Sequence, residues 1–138
     1  MLGQLLADYP GKIRLVFKDF PLPFHGGAGP AAQAARCAGT AGHFWEYHDL
    51  LFAAQPAFAR DDLISYAGRL GLHHQSFAAC LDSGRFRRAV ETDVSQGRAL
   101  AVTGTPTFFV NGRRLVGAQP VEAFREAVED ALDDARAR

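Results

Sequence analysis

The stretch Val102-Thr103-Gly104-Thr105-Pro106-Thr107-Phe108-Phe109-Val110 constrains the fold of this chain more than any other part of it. The β-branched and aromatic residues after the proline predict a buried strand over 107–110. Pro106 has no amide to give to a ladder, so it belongs at the strand's first residue or at a bulge. The Thr105–Pro106 peptide bond is then a candidate for the cis form. Asn111-Gly112 follows at once, and both residues tolerate the positive φ that a two-residue hairpin turn demands. A second strand is therefore predicted over 113–116. The chain must hold a hairpin whose first strand begins at a proline loop.

Ahead of that hairpin, Ile13-Arg14-Leu15-Val16-Phe17-Lys18-Asp19-Phe20 is mostly apolar and predicts an interior strand over 13–20, ended by Pro21-Leu22-Pro23. The glycines of Phe24-His25-Gly26-Gly27-Ala28-Gly29 make a connector. They are not a phosphate cradle, because no Gly-Lys-Ser/Thr follows. From Pro30, which suits a first helical position, the pattern is helical as far as residue 99. The predicted helices cover 30–38, 43–54, 61–70 with Asp61 as cap, 74–81 and 85–99. Leu5, Leu6 and Tyr9 mark a short helix before the first strand. Val121, Phe124, Val128 and Leu132 form the apolar stripe of a last helix.

The composition excludes several classes of function. At 138 residues, 48% of them apolar and 22% charged, the chain reads as one ordinary globular domain. Fifteen basic residues balance fifteen acidic ones, so no overall field favours nucleic acid. Arg85, Arg87 and Arg88 read as a solvated helix face. No apolar run reaches the roughly 20 residues that span a bilayer. The first ten residues lack the basic start and cleavage site of a secretion signal. The compartment stays open: extracytoplasmic if an upstream segment carries a signal, cytoplasmic otherwise.

Three segments together resemble the DsbA-like branch of the thioredoxin superfamily, the protein-disulfide oxidoreductases. They are Tyr9-Pro10-Gly11-Lys12-Ile13-Arg14-Leu15-Val16-Phe17-Lys18-Asp19-Phe20-Pro21-Leu22, Gly42-His43-Phe44-Trp45-Glu46-Tyr47-His48-Asp49-Leu50-Leu51-Phe52, and Gly104-Thr105-Pro106-Thr107-Phe108-Phe109-Val110-Asn111-Gly112. They lie in family order along essentially the whole chain. The resemblance implies an α/β fold, a thioredoxin-like sheet with an inserted all-helical subdomain. Residues 1–138 would form a single domain with 30–99 as the insertion. It also implies that Gly104, Thr105 and Pro106 form a cis-proline loop that pairs with the backbone of a protein or peptide substrate.

The family works through Cys-x-x-Cys at the start of its first long helix, and no such pair occurs here. The resemblance places that pair, and the strand before it, ahead of Met1, with only the helix's last turns present. Family topology puts the absent strand between 13–20 and 107–110, leaving a slot roughly 9–10 Å wide between ladders. Three readings follow: a longer gene product, a slot filled by another copy or a partner through strand addition, or direct pairing of the two bordering strands. Strand exchange between copies would make a homo-oligomer.

Cys37 and Cys80 sit in helical patterns beside Ala and Leu, without the electropositive helix start that an attacking thiolate needs. Two buried thiols and a structural disulfide both remain open. Lys18 and Asp19 could tune a neighbouring redox site or simply be polar strand-end residues. His43 and His48 stand five apart, where helical ligand pairs prefer three or four, and His73-His74 and His25 add no ligand set, so no metal site is expected. Glu46 and Asp49 read as exposed helix carboxylates. No catalytic Ser-His-Asp pattern or dinucleotide fingerprint is present, and no cofactor is expected.

The expected function is thiol–disulfide oxidoreduction on protein or peptide thiols in a complete family member, with these 138 residues inactive by themselves. A non-catalytic peptide-binding or assembly module and a glutathione-using relative of the same fold are the alternatives.

Overall fold

The computed structural model describes residues 1–23 and 25–138. They divide into two compact units: residues 1–17 with 101–138, and residues 18–100.

The first unit contains helix α1 (Leu2–Asp8), strands β1 (Thr107–Val110) and β2 (Arg113–Val116), and helix α7 (Val121–Arg136). The strands pair antiparallel, Thr107 opposite Val116 and Val110 opposite Arg113. Asn111 (φ 47°) and Gly112 (φ 89°) close the hairpin with the double positive φ of a type I′ turn. One sheet face lies on α7, where the Phe108 ring meets Phe124 edge-on at 4.8 Å. Leu115, Phe124 and Ala127 are buried there with Leu5 of α1. Arg125 of α7 donates to Asp8 at the end of α1 at 2.8 Å. The opposite face leaves Phe109 40% and Val116 61% exposed.

The predicted strand over 13–20 is not formed. Among the described residues the sheet has the order β1-β2 and nothing else. Ile13 and Leu15 are half-buried while Arg14 and Val16 are exposed, so side-chain exposure alternates as in a strand. A strand also needs a ladder, and apolar alternation cannot supply the partner's amides and carbonyls. Direct pairing of 13–20 with 107–110 is likewise not formed.

The second unit is helical: α2 (Ala28–Gly39), α3 (Phe44–Ala54), α4 (Arg60–Arg69), α5 (His74–Ser83) and α6 (Arg87–Ala99). Helix α2 packs against the other four. Its Ala31, Ala34, Ala35 and Ala38 are all buried, and such short side chains let neighbouring helices come close. Tyr47 is wholly buried, and its hydroxyl donates to the Leu63 carbonyl at 2.8 Å, so its one side-chain polar atom is satisfied. Helix α2 begins two residues before Pro30. Its cap, Gly27, has φ 81°, and a Cβ there would stand 2.9 Å from Cβ of Phe58. Only glycine meets both conditions.

Asp61 is not the cap of α4. Ala59 holds that position, and the Asp62 carboxylate accepts from its amide at 3.1 Å. Two carboxylates in the first turn favour the positive helix end in place of a capping side chain.

Candidate functional site

The loop between α6 and β1 belongs to the first unit from Ala101 onward. Helix α6 stops at Leu100, and Ala101 takes a positive φ of 59°. The Thr105–Pro106 peptide bond is cis. Hydrogen bonds hold the loop at three of its carbonyls. The Thr107 hydroxyl donates to the Gly104 carbonyl at 2.7 Å, and Arg114 donates to the Ala101 carbonyl at 3.1 Å. The Gly117 amide donates to the Pro106 carbonyl at 2.8 Å, tying the proline to the far end of β2.

Thr105 is left over. It is exposed, and among the described residues neither its amide nor its carbonyl has a hydrogen-bond partner. One residue thus presents a donor and an acceptor to solvent from a loop whose neighbours are pinned. That arrangement can exchange two hydrogen bonds with an extended backbone. A Cβ on Gly104 would meet nothing within 4 Å, so that side of the loop is open as well.

Cys37 and Cys80 are bonded to each other, S–S 2.09 Å with Cα atoms 6.0 Å apart. The bond joins α2 to α5 inside the helical unit, a different unit from the proline loop. Neither cysteine stands at a helix start, so no thiolate is activated there.

Lys18 and Asp19 also fall in the helical unit. Arg36 of α2 donates through Nε to Asp19 at 2.6 Å and through Nη2 to Asp93 of α6 at 2.7 Å. The Asp19 amide donates to Asp93 at 2.9 Å, and Lys18 donates to Gln96 at 3.2 Å. Both carboxylates are buried, and one guanidinium serves both. Burial pushes the Asp19 carboxyl above its ordinary value against the pull of Arg36, and neighbouring Asp93 adds to the rise. Arg36 and Asp93 were missed in the sequence. Their signal was there: an arginine inside a buried alanine run, and an aspartate three residues after buried Val90 on the inward face of a helix.

No group of three His, Cys, Asp or Glu residues is placed to hold a metal among the described residues. His43 pairs with Glu46, and His48 with Asp49 at 3.1 Å, which is local helix-surface chemistry. His25 lies in the connector before α2, and His73 caps α5 by accepting from the Ser76 amide.

The thioredoxin family model matches residues 1–130. A protein named Na(+)/H(+) antiporter NhaA 3, from Salinispora tropica, is 43% identical over 136 residues, 98% of this chain and 21% of that protein. Proteins named Na(+)/H(+) antiporter NhaA are similar too. The one from Herminiimonas arsenicoxydans is 40% identical over 127 residues, 90% of this chain and 20% of its own length. The one from Nitrosospira multiformis is 31% identical over 132 residues, 95% of this chain and 21% of its own. The chain thus spans about a fifth of the length of the curated relatives it matches. It belongs to the thioredoxin family.

Proposed function

We propose that this member of the thioredoxin family is part of a DsbA-like thiol–disulfide oxidoreductase, and that Gly104, Thr105 and Pro106 hold the backbone of its protein or peptide substrate. The observation that carries the reading is Thr105, an exposed residue beside the cis bond whose amide and carbonyl have no hydrogen-bond partner among the described residues. An extended peptide laid antiparallel to this residue would gain two main-chain hydrogen bonds, the mode by which many domains capture a strand. The helical unit is read as the family's inserted subdomain.

In disulfide exchange a thiolate attacks one sulfur of a disulfide, the other sulfur leaves as thiolate, and a second thiol resolves the mixed disulfide. The substrate's thiols lose the electron pair that the enzyme's disulfide gains. In these 138 residues the sulfurs are engaged between α2 and α5, so the role assigned to them is holding, not exchange. Dithiothreitol-driven insulin reduction by the chain alone is expected to stay at background. A cysteine-free extended peptide is expected to shift the amide resonances of Gly104, Thr105 and Thr107. Turnover by the chain alone, or shifts confined to other residues, would overturn the assignment.

The relatives favour a second reading. They are named Na+/H+ antiporters, and this chain corresponds to about a fifth of each. Here the same loop serves a non-catalytic module that works beside a transporter. No helix among the described residues is long and apolar enough to cross a membrane, so ion translocation is not assigned to them. The module reading requires peptide binding without any gain in activity when a strand bearing Cys-x-x-Cys is fused ahead of residue 1. The oxidoreductase reading requires that gain.

A further inference from the structure

One cleft in the helical unit takes no part in the readings above. It has a volume of about 500 Å³ and runs along α6, with Arg87 near one end and Arg98 near the other. Arg98 lies in the last turn, where a cation favours the negative helix end. Arg87 has no such reason. It is the first residue of α6, at the positive end, and no acidic residue stands in that turn to offset it. Among the described residues neither arginine has an acidic partner within ion-pair distance, although Glu91 is only one turn beyond Arg87. Between the two charges α6 lines the cleft with Val90 and Val94 alongside Glu91 and Ser95, and Pro21 and Gln33 also border it.

We propose that this cleft binds an extended acidic peptide segment of a partner protein, through two carboxylates that flank one apolar side chain. The spacing supports a peptide over a single small anion. Eleven residues of α-helix separate the arginines by about 16 Å. Residues i and i+4 of an extended chain share a face about 13 Å apart, and the lengths of the arginine and glutamate side chains cover the remaining few ångströms. Residue i+2 then meets Val90 and Val94. Glu91, which also lines the cleft, repels an acid at that central position. The preferred pattern is acidic, any, apolar, any, acidic. Gly29 borders the cleft, and a Cβ there would meet nothing within 4 Å, so the space is open on the α2 side.

The test uses the full chain and a dye-labelled peptide, Gly-Glu-Ser-Leu-Ser-Glu-Gly, read by fluorescence anisotropy. Saturable binding is expected, weaker at high salt. Arg87→Gln combined with Arg98→Gln is expected to weaken it at least about tenfold. Gly29→Leu fills the open side while improving helix propensity, and is expected to block binding with unchanged circular dichroism. A peptide with glutamine at both acidic positions should not bind, and one with glutamate at the centre should bind more weakly. Equal binding of the glutamine peptide, indifference to the double variant or to Gly29→Leu, or no binding at all would overturn the proposal. Displacement by millimolar inorganic phosphate would also overturn it, by showing a simple anion site. So would self-association in sedimentation that the double variant abolishes, which would give the cleft to the acidic α7 of a second copy. The inference does not depend on the proline loop: it is read at residues 87 and 98, and the loop reading at residues 104 to 107.

Discussion

The helical unit and the hairpin unit are made from the same kinds of residue, yet they bury them to different extents. In residues 18–100 the helices satisfy their own backbone groups, and buried side chains from α2 to α5 form one core. The disulfide crosses that core, and its buried charges are matched around Arg36. In the hairpin unit the buried cluster is Leu5, Leu115, Phe124 and Ala127, under two short strands. Phe109, Val116 and Val16 stay 40%, 61% and 57% exposed. The lesson is about backbone bonding. A helix closes its hydrogen bonds within itself and needs only side-chain neighbours, whereas a strand is incomplete until other strands lie beside it.

The sharpest way to break this contrast is Phe124→Ala. Phe124 is 2% exposed and carries the hairpin on α7, so its loss is expected to cost about 3–5 kcal/mol. Amide exchange should rise sharply in β1, β2 and α7 and much less in α2 through α5. Equal loss of protection in both units would erase the distinction.

The next test touches the helical unit. Cys37→Ala with Cys80→Ala opens a loop spanning a sequence separation of 43, worth about 3–4 kcal/mol of closure entropy. The urea midpoint followed by Trp45, the one tryptophan, should fall accordingly. An unchanged midpoint would mean that packing alone holds α2 to α5.

The smallest expected effect concerns acid. Burial raises the Asp19 pKa from 3.8, so the folded chain holds that proton more tightly than the unfolded chain does. Its contribution to stability is complete below the ordinary value and is lost as pH climbs through the raised folded value. Asp82 runs the other way. Its hydrogen bond from Arg60 lowers its pKa, so its contribution is present above the ordinary value and fades as pH falls through the folded one. The stability of the native chain relative to Asp19→Asn should therefore decline as pH rises through the carboxylate range. A flat difference would show that Arg36 offsets the burial of Asp19 completely.

Much of the secondary structure was legible because it depends on near neighbours. Asn111-Gly112 placed the hairpin, and apolar spacing placed the helices, with errors of a residue or two where α2 starts at Ala28 ahead of Pro30 and Ala59 caps α4 in place of Asp61. The candidate site was legible in part. Pro106 pointed to the loop, but the vacant backbone of Thr105 could not be read from residue types, because it depends on which bonds Thr107, Arg114 and Gly117 make elsewhere. Arg36 was invisible for a related reason. A half-exposed arginine on a helix looks like any other until two carboxylates arrive from residues 19 and 93.

Taken alone, the order of amino acids determined the hairpin turn, the helix periods and the lack of a Cys-x-x-Cys pair, all properties of residues close together in the chain. Only the tertiary structure decided that Cys37 bonds to Cys80, that Asp19 and Asp93 share one guanidinium, and that residues 13–20 form no strand. Each of those outcomes needs a partner from a distant part of the chain, and whether that partner comes within bonding distance is set by packing, not by local pattern.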